Sequence, residues 1–296
     1  MRILLIVTGS QGLLGKALVE FAKQKNIDVI GISRPNYQNT KEILYEKRQF
    51  NSCQLGLEKN KLLKDQNIKK IIINCAWSGE SGLTDGGLKK QLDNLIFLED
   101  LFSFSLDYDI HDIINIGSFD ELIVERALEV GETSFSTNFN HLEYGIAKLA
   151  CRDILKFRCY MHKINLVHAK LSIMVDPYLR KINFIEKNLK SILLGGEYDI
   201  PDSEELYNIS SSDYIAKQLI QFIEKTKIPK DLILGSGLCL NLKDYFESIR
   251  MVLDGENVTG YHSNGNYLHE TDFNNNANVT IDKHSMILEL IKGFKI

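Results

Sequence analysis

Tyr144 and Lys148 stand four residues apart in the segment Tyr144-Gly-Ile-Ala-Lys148, a spacing that puts both side chains on one face of a helix. The pair has a definite chemical use. A ketone that accepts a hydride develops negative charge on its oxygen, and a positioned phenol can hand that oxygen a proton. The ordinary tyrosine pKa, about 10, is too high for easy exchange at neutral pH, and a neighbouring ammonium lowers it by stabilising the phenolate. The pattern alone is common, and the chain repeats it at Tyr37-Gln-Asn-Thr-Lys41. Position separates the two: Tyr37 falls in a loop after the second strand, whereas Tyr144 opens the helix after the strand ending Ile116-Gly117-Ser118.

A second group of residues could hold a phosphate. Thr8-Gly9-Ser10-Gln11-Gly12-Leu13-Leu14-Gly15 follows the apolar run from Arg2 to Val7 and leads into a helical pattern of Leu13, Leu14, Ala17, Leu18, Phe21 and Ala22. Gly9 allows a tight turn, Gly12 lets backbone approach a pyrophosphate, and Gly15 lets the helix pack on the strand. The choice between dinucleotides is made at the end of the second strand, where a carboxylate would bond the ribose hydroxyls of NAD. Here that strand ends Gly31-Ile32-Ser33-Arg34. Without a carboxylate there, Ser33 and Arg34 favour NADP(H) over NAD(H).

The elements that position these groups alternate. Strands are expected at Arg2 to Val7, Asp28 to Ile32, Lys70 to Ala76, Asp112 to Ile116 and Asn165 to Leu171, with helices after the glycine turn, at 88–106 and at 144–162. This rhythm predicts an α/β fold, a Rossmann-type doubly wound parallel sheet. Beyond Leu171 the rhythm changes. A helix over 184–194, a turn at Gly195-Gly196, an extended piece at 206–209, a helix over 213–225, a strand into a turn at 233–237 and a last helix over 283–292 build a small C-terminal substrate lobe. Ser211, Ser212 or Asp213 caps the 213–225 helix. The expected division is a dinucleotide-binding domain at 1–171 and a smaller mixed lobe at 172–296, exchanging elements with the first. The stretch 255–278 reads as a loop or irregular hairpin.

Composition narrows the field. With 296 residues, 44% of them hydrophobic, the chain can bury a substantial core. A net charge of −4 with scattered Lys and Arg gives no basic stripe for nucleic-acid phosphates. The N-terminal apolar run is too short for a signal-peptide core or a bilayer span, so a cytoplasmic protein with no membrane partner is expected. Five cysteines form no C-x-x-C pair, which suits a reducing compartment, and the histidines show no metal-ligand spacing, so no metal is expected.

The G-x-x-G-x-x-G turn, Asn74-Cys-Ala-Trp-Ser-Gly79, Ile116-Gly-Ser118 and Tyr144-Gly-Ile-Ala-Lys148 together resemble the extended short-chain dehydrogenases/reductases, the NAD-dependent epimerase/dehydratase family. Within it they are similar to nucleotide-sugar 4-ketoreductases such as CDP-abequose synthase. The resemblance spans about the whole chain. It implies Ser118, Tyr144 and Lys148 as the catalytic set, with Ser118 bonding the substrate oxygen and Lys148 also holding the nicotinamide ribose. It places Gly9, Gln11, Gly12, Leu13, Gly15, Ser33, Arg34, Asn74 and Ala76 at the dinucleotide together with Tyr144 and Lys148, Asn74 and Ala76 acting mainly through backbone. Trp77 and Ser78 would cover the sugar of a nucleotide-sugar substrate. Asp120 and Glu121 superficially resemble a dehydratase acid/base pair but fall one place too late, and read as ordinary loop or helix-start carboxylates. Two departures stand out. Lys170-Leu-Ser-Ile-Met-Val-Asp-Pro177 lacks the arginine and glycine common in relatives, and Asn208 to Asp213 lacks an arginine, leaving Arg180, Lys181, Asn183 and Arg250 as candidates for the substrate diphosphate.

The resemblance therefore implies NADPH-dependent reduction of the 4-keto group of a nucleotide-activated 6-deoxyhexose, in bacterial surface-polysaccharide biosynthesis. One alternative is a nucleotide-sugar epimerase with tightly bound NAD, using the same three residues. Another is a non-catalytic dinucleotide-binding protein, since fold does not dictate function. Relatives also pair as homodimers through the helices expected at 88–106 and 144–162.

Overall fold

The computed structural model describes residues 2–33, 43–44, 61–78, 88–130, 139–180, 183–201, 205–224, 230–259, 261–262 and 281–295. Arg34, Tyr37, Lys41, Cys53, Gly79, Lys181 and most of the 255–278 stretch lie outside them.

The chain begins with β1 (Ile3–Thr8), α1 (Leu13–Gln24) and β2 (Asp28–Ser33), followed by β3 (Ile43–Leu44), α2 (Lys61–Lys64) and β4 (Lys69–Asn74). Next come α3 (Leu88–Asp107), β5 (Asp112–Ser118), α4 (Asp120–Val130), α5 (Phe139–His162) and β6 (Asn165–Leu171). The remainder comprises β7 (Ile173–Val175), α6 (Phe184–Leu193), β8 (Leu206–Ser211), α7 (Ser212–Ile223), β9 (Asp231–Leu234), β10 (Cys239–Asn241), α8 (Leu242–Leu253), β11 (Tyr261–His262), β12 (Ile281–Asp282) and α9 (Lys283–Lys292).

Seven strands form one sheet in the order β3-β2-β1-β4-β5-β6-β9, and the pairs from β3 through β5 are all parallel. Strand order reverses between β1 and β4, the kind of switch point where doubly wound sheets open a crevice at their carboxyl edge. Leu4, Leu5, Ile6 and Val7 of β1 are fully buried, as are Ile71, Ile72 and Ile73 of β4, which is why both strands read as unbroken apolar runs rather than alternating ones. Packing against the strands are Phe97, Leu98, Leu101, Phe102 and Phe104 of α3 and Cys151, Leu155 and Cys159 of α5. These apolar positions recur at three- and four-residue intervals, as a helix with one buried face requires.

Two compact units emerge. The first comprises Met1–Lys170 with Ile220–Leu232, the second Leu171–Leu219 with Ile233–Ile296. In the second, β8 pairs with β7 in parallel and with β10 antiparallel, around a core that includes Leu189, Ile209, Tyr245, Phe246 and Ile287. Asn183, Asn241 and Asp282 cap α6, α8 and α9 by accepting a backbone N–H three residues on, each satisfying a donor the helix itself leaves open. Three helices go beyond the sequence reading: the single turn α2, α4 after Ser118, and α8, whose Asn241 cap and buried Leu242, Tyr245, Phe246 and Ile249 are a helical signature in retrospect. Among the described residues no helix is long and apolar enough to cross a membrane.

Two consequences are measurable. A Cβ at Gly15 would lie 2.2 Å from the Gly9 carbonyl oxygen and 2.8 Å from the Gly9 carbonyl carbon, backbone atoms that cannot swing aside. Gly15→Ala should lower stability in urea unfolding by about 1–3 kcal/mol or more; a wild-type midpoint would contradict this packing. Burial also pushes the Cys151 and Cys159 thiols up to about 12, against about 8.5 in an unfolded chain. The folded state thus keeps two protons that the unfolded state loses. Their contribution is complete below pH 8.5 and declines toward pH 12, by at most about 1.4 kcal/mol per pH unit per thiol. Unfolding measured between pH 8.5 and 10 should show a shallower loss in the Cys151→Ala/Cys159→Ala double variant than in wild type.

Candidate functional site

The carboxyl edge of the sheet gathers the described residues that the sequence singled out in the first unit; Arg34 lies outside the described residues. At the end of β1 the chain turns at Gly9, whose φ of +65° falls in the left-handed region that glycine enters without a Cβ penalty. The turn closes by a Gly12 N–H bond to the Gly9 carbonyl, 2.8 Å, and Ser10 N–H donates to Ile32 O at the end of β2, 3.2 Å. Gly12 is the N-cap of α1, with no side chain capping it and no acidic residue in the first turn. The positive end of the α1 dipole therefore faces the turn with bare backbone, the donor set that a pyrophosphate needs. Gln11 and Leu13 flank Gly12 in that turn. At the end of β2, Ser33 is buried and its hydroxyl is a buried oxygen without a hydrogen-bond partner among the described residues. Such an orphan costs about 1–3 kcal/mol unless something supplies a partner. The glycine turn and Ser33 together fit a dinucleotide.

Beyond β4 the chain passes directly beneath this turn. A Cβ at Gly9 would lie 2.9 Å from Ala76 N and from the Cys75 carbonyl. The Asn74 side chain is buried and committed within the protein, accepting from Thr8 Oγ1 at 2.7 Å and donating to Asn115 Oδ1 at 2.9 Å. Trp77 and Ser78 are anchored by α3: Trp77 Nε1 donates to Gln91 Oε1 at 3.0 Å, and Asn94 clamps both backbone groups of Ser78, at 2.8 and 2.9 Å. Gln91 and Asn94 went unnoticed in the sequence, where two amides in a helix carry no distinguishing signal.

Tyr144 and Lys148 lie on α5, next to Trp77. The Tyr144 ring meets Trp77 edge-on with centroids 5.7 Å apart. Lys148 Nζ sits 3.8 Å from the Trp77 ring centroid and 5.6 Å from that of Tyr144, and donates to Ile116 O at 2.9 Å. A cation this close to an indole face, and buried, is held by a cation–π attraction of about 2 kcal/mol. Gly145 lets α5 approach α4, since a Cβ there would lie 2.7 Å from Asp120 O. Ser118 ends β5, where its hydroxyl donates to Asp120 Oδ2 at 3.0 Å and accepts from Asp120 N at 3.2 Å.

Of the two carboxylates after Ser118, only Glu121 departs from the sequence reading. Both do start a helix, α4, yet Glu121 is no ordinary surface carboxylate. Fully buried, it pairs with fully buried His168 of β6, Oε2 to Nε2 2.7 Å, while its Oε1 accepts the Ser118 N–H at 2.8 Å. His168 was also missed: one histidine in an apolar strand does not announce its partner. Arg180, in the second unit, is bound by both its Nε and Nη2 to Asp176 at 2.7 and 3.2 Å. Asn183 caps α6, and Arg250 donates to Gly196 O at 3.1 Å. In the second unit a cavity of about 400 Å³ is lined by Asn183, Phe184, Pro201, Tyr207 and Leu242 among others. Among the described residues no cluster of His, Cys, Asp or Glu could hold a metal ion.

Comparison with known proteins bears on this arrangement. No curated protein sequence matches the chain. Among solved structures, UDP-N-acetylglucosamine 4-epimerase from Bacillus cereus superposes with a TM-score of 0.66 at 18% identity, over 100% of this chain and 98% of that one. The dTDP-glucose 4,6-dehydratase of Bacillus anthracis, in complex with NAD, gives 0.65 at 14% identity, over 99% and 96%. A GDP-L-fucose synthetase from Naegleria fowleri gives 0.63 at 15%, over 98% and 93%. Identities this low establish a shared fold. Residues 5–211 match the NAD dependent epimerase/dehydratase family, a span that takes in the glycine turn, Asn74 to Ser78, Ser118, Tyr144 and Lys148, and the chain belongs to that family.

Proposed function

We propose that this chain is an NADP(H)-dependent reductase of the 4-keto group of a nucleotide-activated 6-deoxyhexose, with Tyr144, Lys148 and Ser118 as its catalytic residues. The observation that carries the reading is the assembly of Tyr144, Lys148 and Trp77 into one cluster on α5 and the β4 edge, with Lys148 buried. The nicotinamide, when bound, supplies hydride to the C4 carbon. Tyr144 Oη gives its proton to the C4 oxygen, so that the carbonyl becomes an alcohol. Lys148, a fixed cation beside the ring, stabilises the phenolate left behind. Ser118 Oγ, now turned to Asp120, reorients to bond the same oxygen as charge develops there. The uncapped first turn of α1, beginning at Leu13, receives the pyrophosphate. Ser33 and Arg34, in the absence of a carboxylate at the end of β2, favour the extra phosphate of NADP(H). The protein works in the cytoplasm, in deoxysugar supply for surface polysaccharide, and pairs as a homodimer.

A second reading, a nucleotide-sugar epimerase with tightly held NAD, uses the same three residues. It is favoured by the likeness to solved structures named as 4-epimerases and as NAD complexes.

Two experiments decide between them. Titration with NADPH and with NADH, followed by quenching of the single tryptophan, Trp77, should show tighter NADPH binding, reduced in Arg34→Ala. Preference for NADH, or protein purified with NAD already bound, moves the assignment to the epimerase. Once a 4-keto nucleotide sugar is turned over, Tyr144→Phe should cut kcat by about 10²-fold or more. Retained activity would sink the proton-donor role.

A further inference from the structure

We propose that Glu121 and His168 are positioning residues for the Ser118 loop, acting through a buried chain of hydrogen bonds that runs in one direction across four strands. This rests on the reading of Ser118 as the hydroxyl that faces substrate. The chain starts at the glycine turn, where Ala76 N–H donates to Thr8 Oγ1 at 3.3 Å and Thr8 Oγ1 donates to Asn74 Oδ1 at 2.7 Å. Asn74 Nδ2 then donates to Asn115 Oδ1 at 2.9 Å, and Asn115 Nδ2 lies 3.2 Å from His168 Nδ1. His168 Nε2 lies 2.7 Å from Glu121 Oε2, and Ser118 N–H donates to Glu121 Oε1 at 2.8 Å.

The register makes the row possible, since Thr8 is paired with Asn74 and Asn74 with Asn115, and in-register residues of a parallel sheet project to the same side. None of the five side chains is more than 4% exposed, so an unmatched donor or acceptor in the row has no water to turn to.

The direction follows from the end group. A carboxylate has only lone pairs to offer, so both of its neighbours must donate into it. A neutral His168 then carries its proton on Nε2 and presents a bare Nδ1, the arrangement that accepts from the Asn115 amide Nδ2. Each amide after it is fixed in turn, back to the Thr8 hydroxyl. At the other end the carboxylate grips the peptide N–H of Ser118 itself. Gly117 is the residue between, and a Cβ there would lie 2.4 Å from Glu121 Oε1 and 2.5 Å from His168 Nε2. The loop that carries the Ser118 hydroxyl is thus fastened to the same chain that begins at the glycine turn.

The test uses the full-length chain, labelled with ¹⁵N and free of ligand. In wild type the ring nitrogens of His168, identified by their loss in His168→Gln, should show the Nε2–H tautomer with unprotonated Nδ1. In Glu121→Gln an amide N–H₂ faces the ring, and the tautomer should switch to Nδ1–H. A second arm follows amide exchange. His168→Gln, whose amide keeps acceptor and donor side by side, should leave Ser118 N–H protected. His168→Leu should speed its exchange by about tenfold or more, while the Leu5 and Ile6 amides of β1 keep their protection. An imidazolium or Nδ1–H ring in wild type, an unchanged tautomer in Glu121→Gln, or equal loss at Ser118 and in β1 would overturn the proposal. Neither arm uses turnover. A fully active Ser118→Ala would remove the catalytic reading and leave these results intact, whereas unaltered Ser118 exchange in His168→Leu would remove the positioning role and leave the catalytic reading intact.

Discussion

The rest of the site depends on how closely two backbones approach at the switch point of the sheet. Gly9, in its left-handed turn, sits so near the Cys75–Ala76 peptide that even a methyl group would be 2.9 Å from it. Gly15 presses just as closely on Gly9 from the first turn of α1. Three elements, β1, α1 and the end of β4, are thereby locked together with no side chain between them. That contact fixes where the bare N-terminus of α1 points and where the segment Ala76 to Ser78 leaves the sheet. A substitution that pushed these backbones apart would disturb both at once.

Close packing is easy to reconcile with an apolar interior; the row of Thr8, Asn74, Asn115, His168 and Glu121 is harder. Burying a polar side chain without a partner costs about 1–3 kcal/mol in proteins, and an ionised carboxylate costs far more. The row survives because each member meets a complementary neighbour and because both of its ends are backbone N–H groups, Ala76 and Ser118. Glu121 also lies in the first turn of α4, where the helix dipole favours negative charge. Hydrophobic residues of similar volume would make an equally stable sheet. They would not tie a loop at the end of β5 to a turn at the end of β1.

Much of this was legible in the sequence, and the rest was illegible for physical reasons. The alternation of strands and helices through Leu171 appears within a residue or two of its expected bounds, because fully buried strands and one-faced helices leave strong periodic signals. The helix 144–162 begins earlier, at Phe139. The glycine turn and the Tyr144–Lys148 spacing were readable because local backbone and helix geometry dictate them. Short pieces such as β7 and β10 were not, since three residues carry no periodicity and the pairing comes from distant β8. Glu121 and His168 are 47 residues apart, and nothing local marks a carboxylate at a helix start as buried. Arg180 could be named as a charge but not as the partner of Asp176, a matter of side-chain direction.

The same distinction between motif and support applies to Lys148. A buried ammonium is costly unless hydrogen-bonded and electrostatically matched. Part of the match is Ile116 O, supplied by the strand that ends in Ser118, and part is the face of Trp77. The indole can serve only if its plane is fixed, and its own N–H is fastened to Gln91 of α3. Asn94, one turn along the same helix, holds the next residue of the loop and also lies 3.4 Å from Gln91 Oε1. The cation on α5 is thus placed by two amides on α3 through an aromatic ring on the loop after β4. Losing Gln91 would leave the Tyr144–Lys148 motif intact in sequence while freeing the surface against which its lysine rests. The spacing of a helix brings the phenol and the ammonium to one face, but the depth and orientation at which that face is presented come from residues outside the motif.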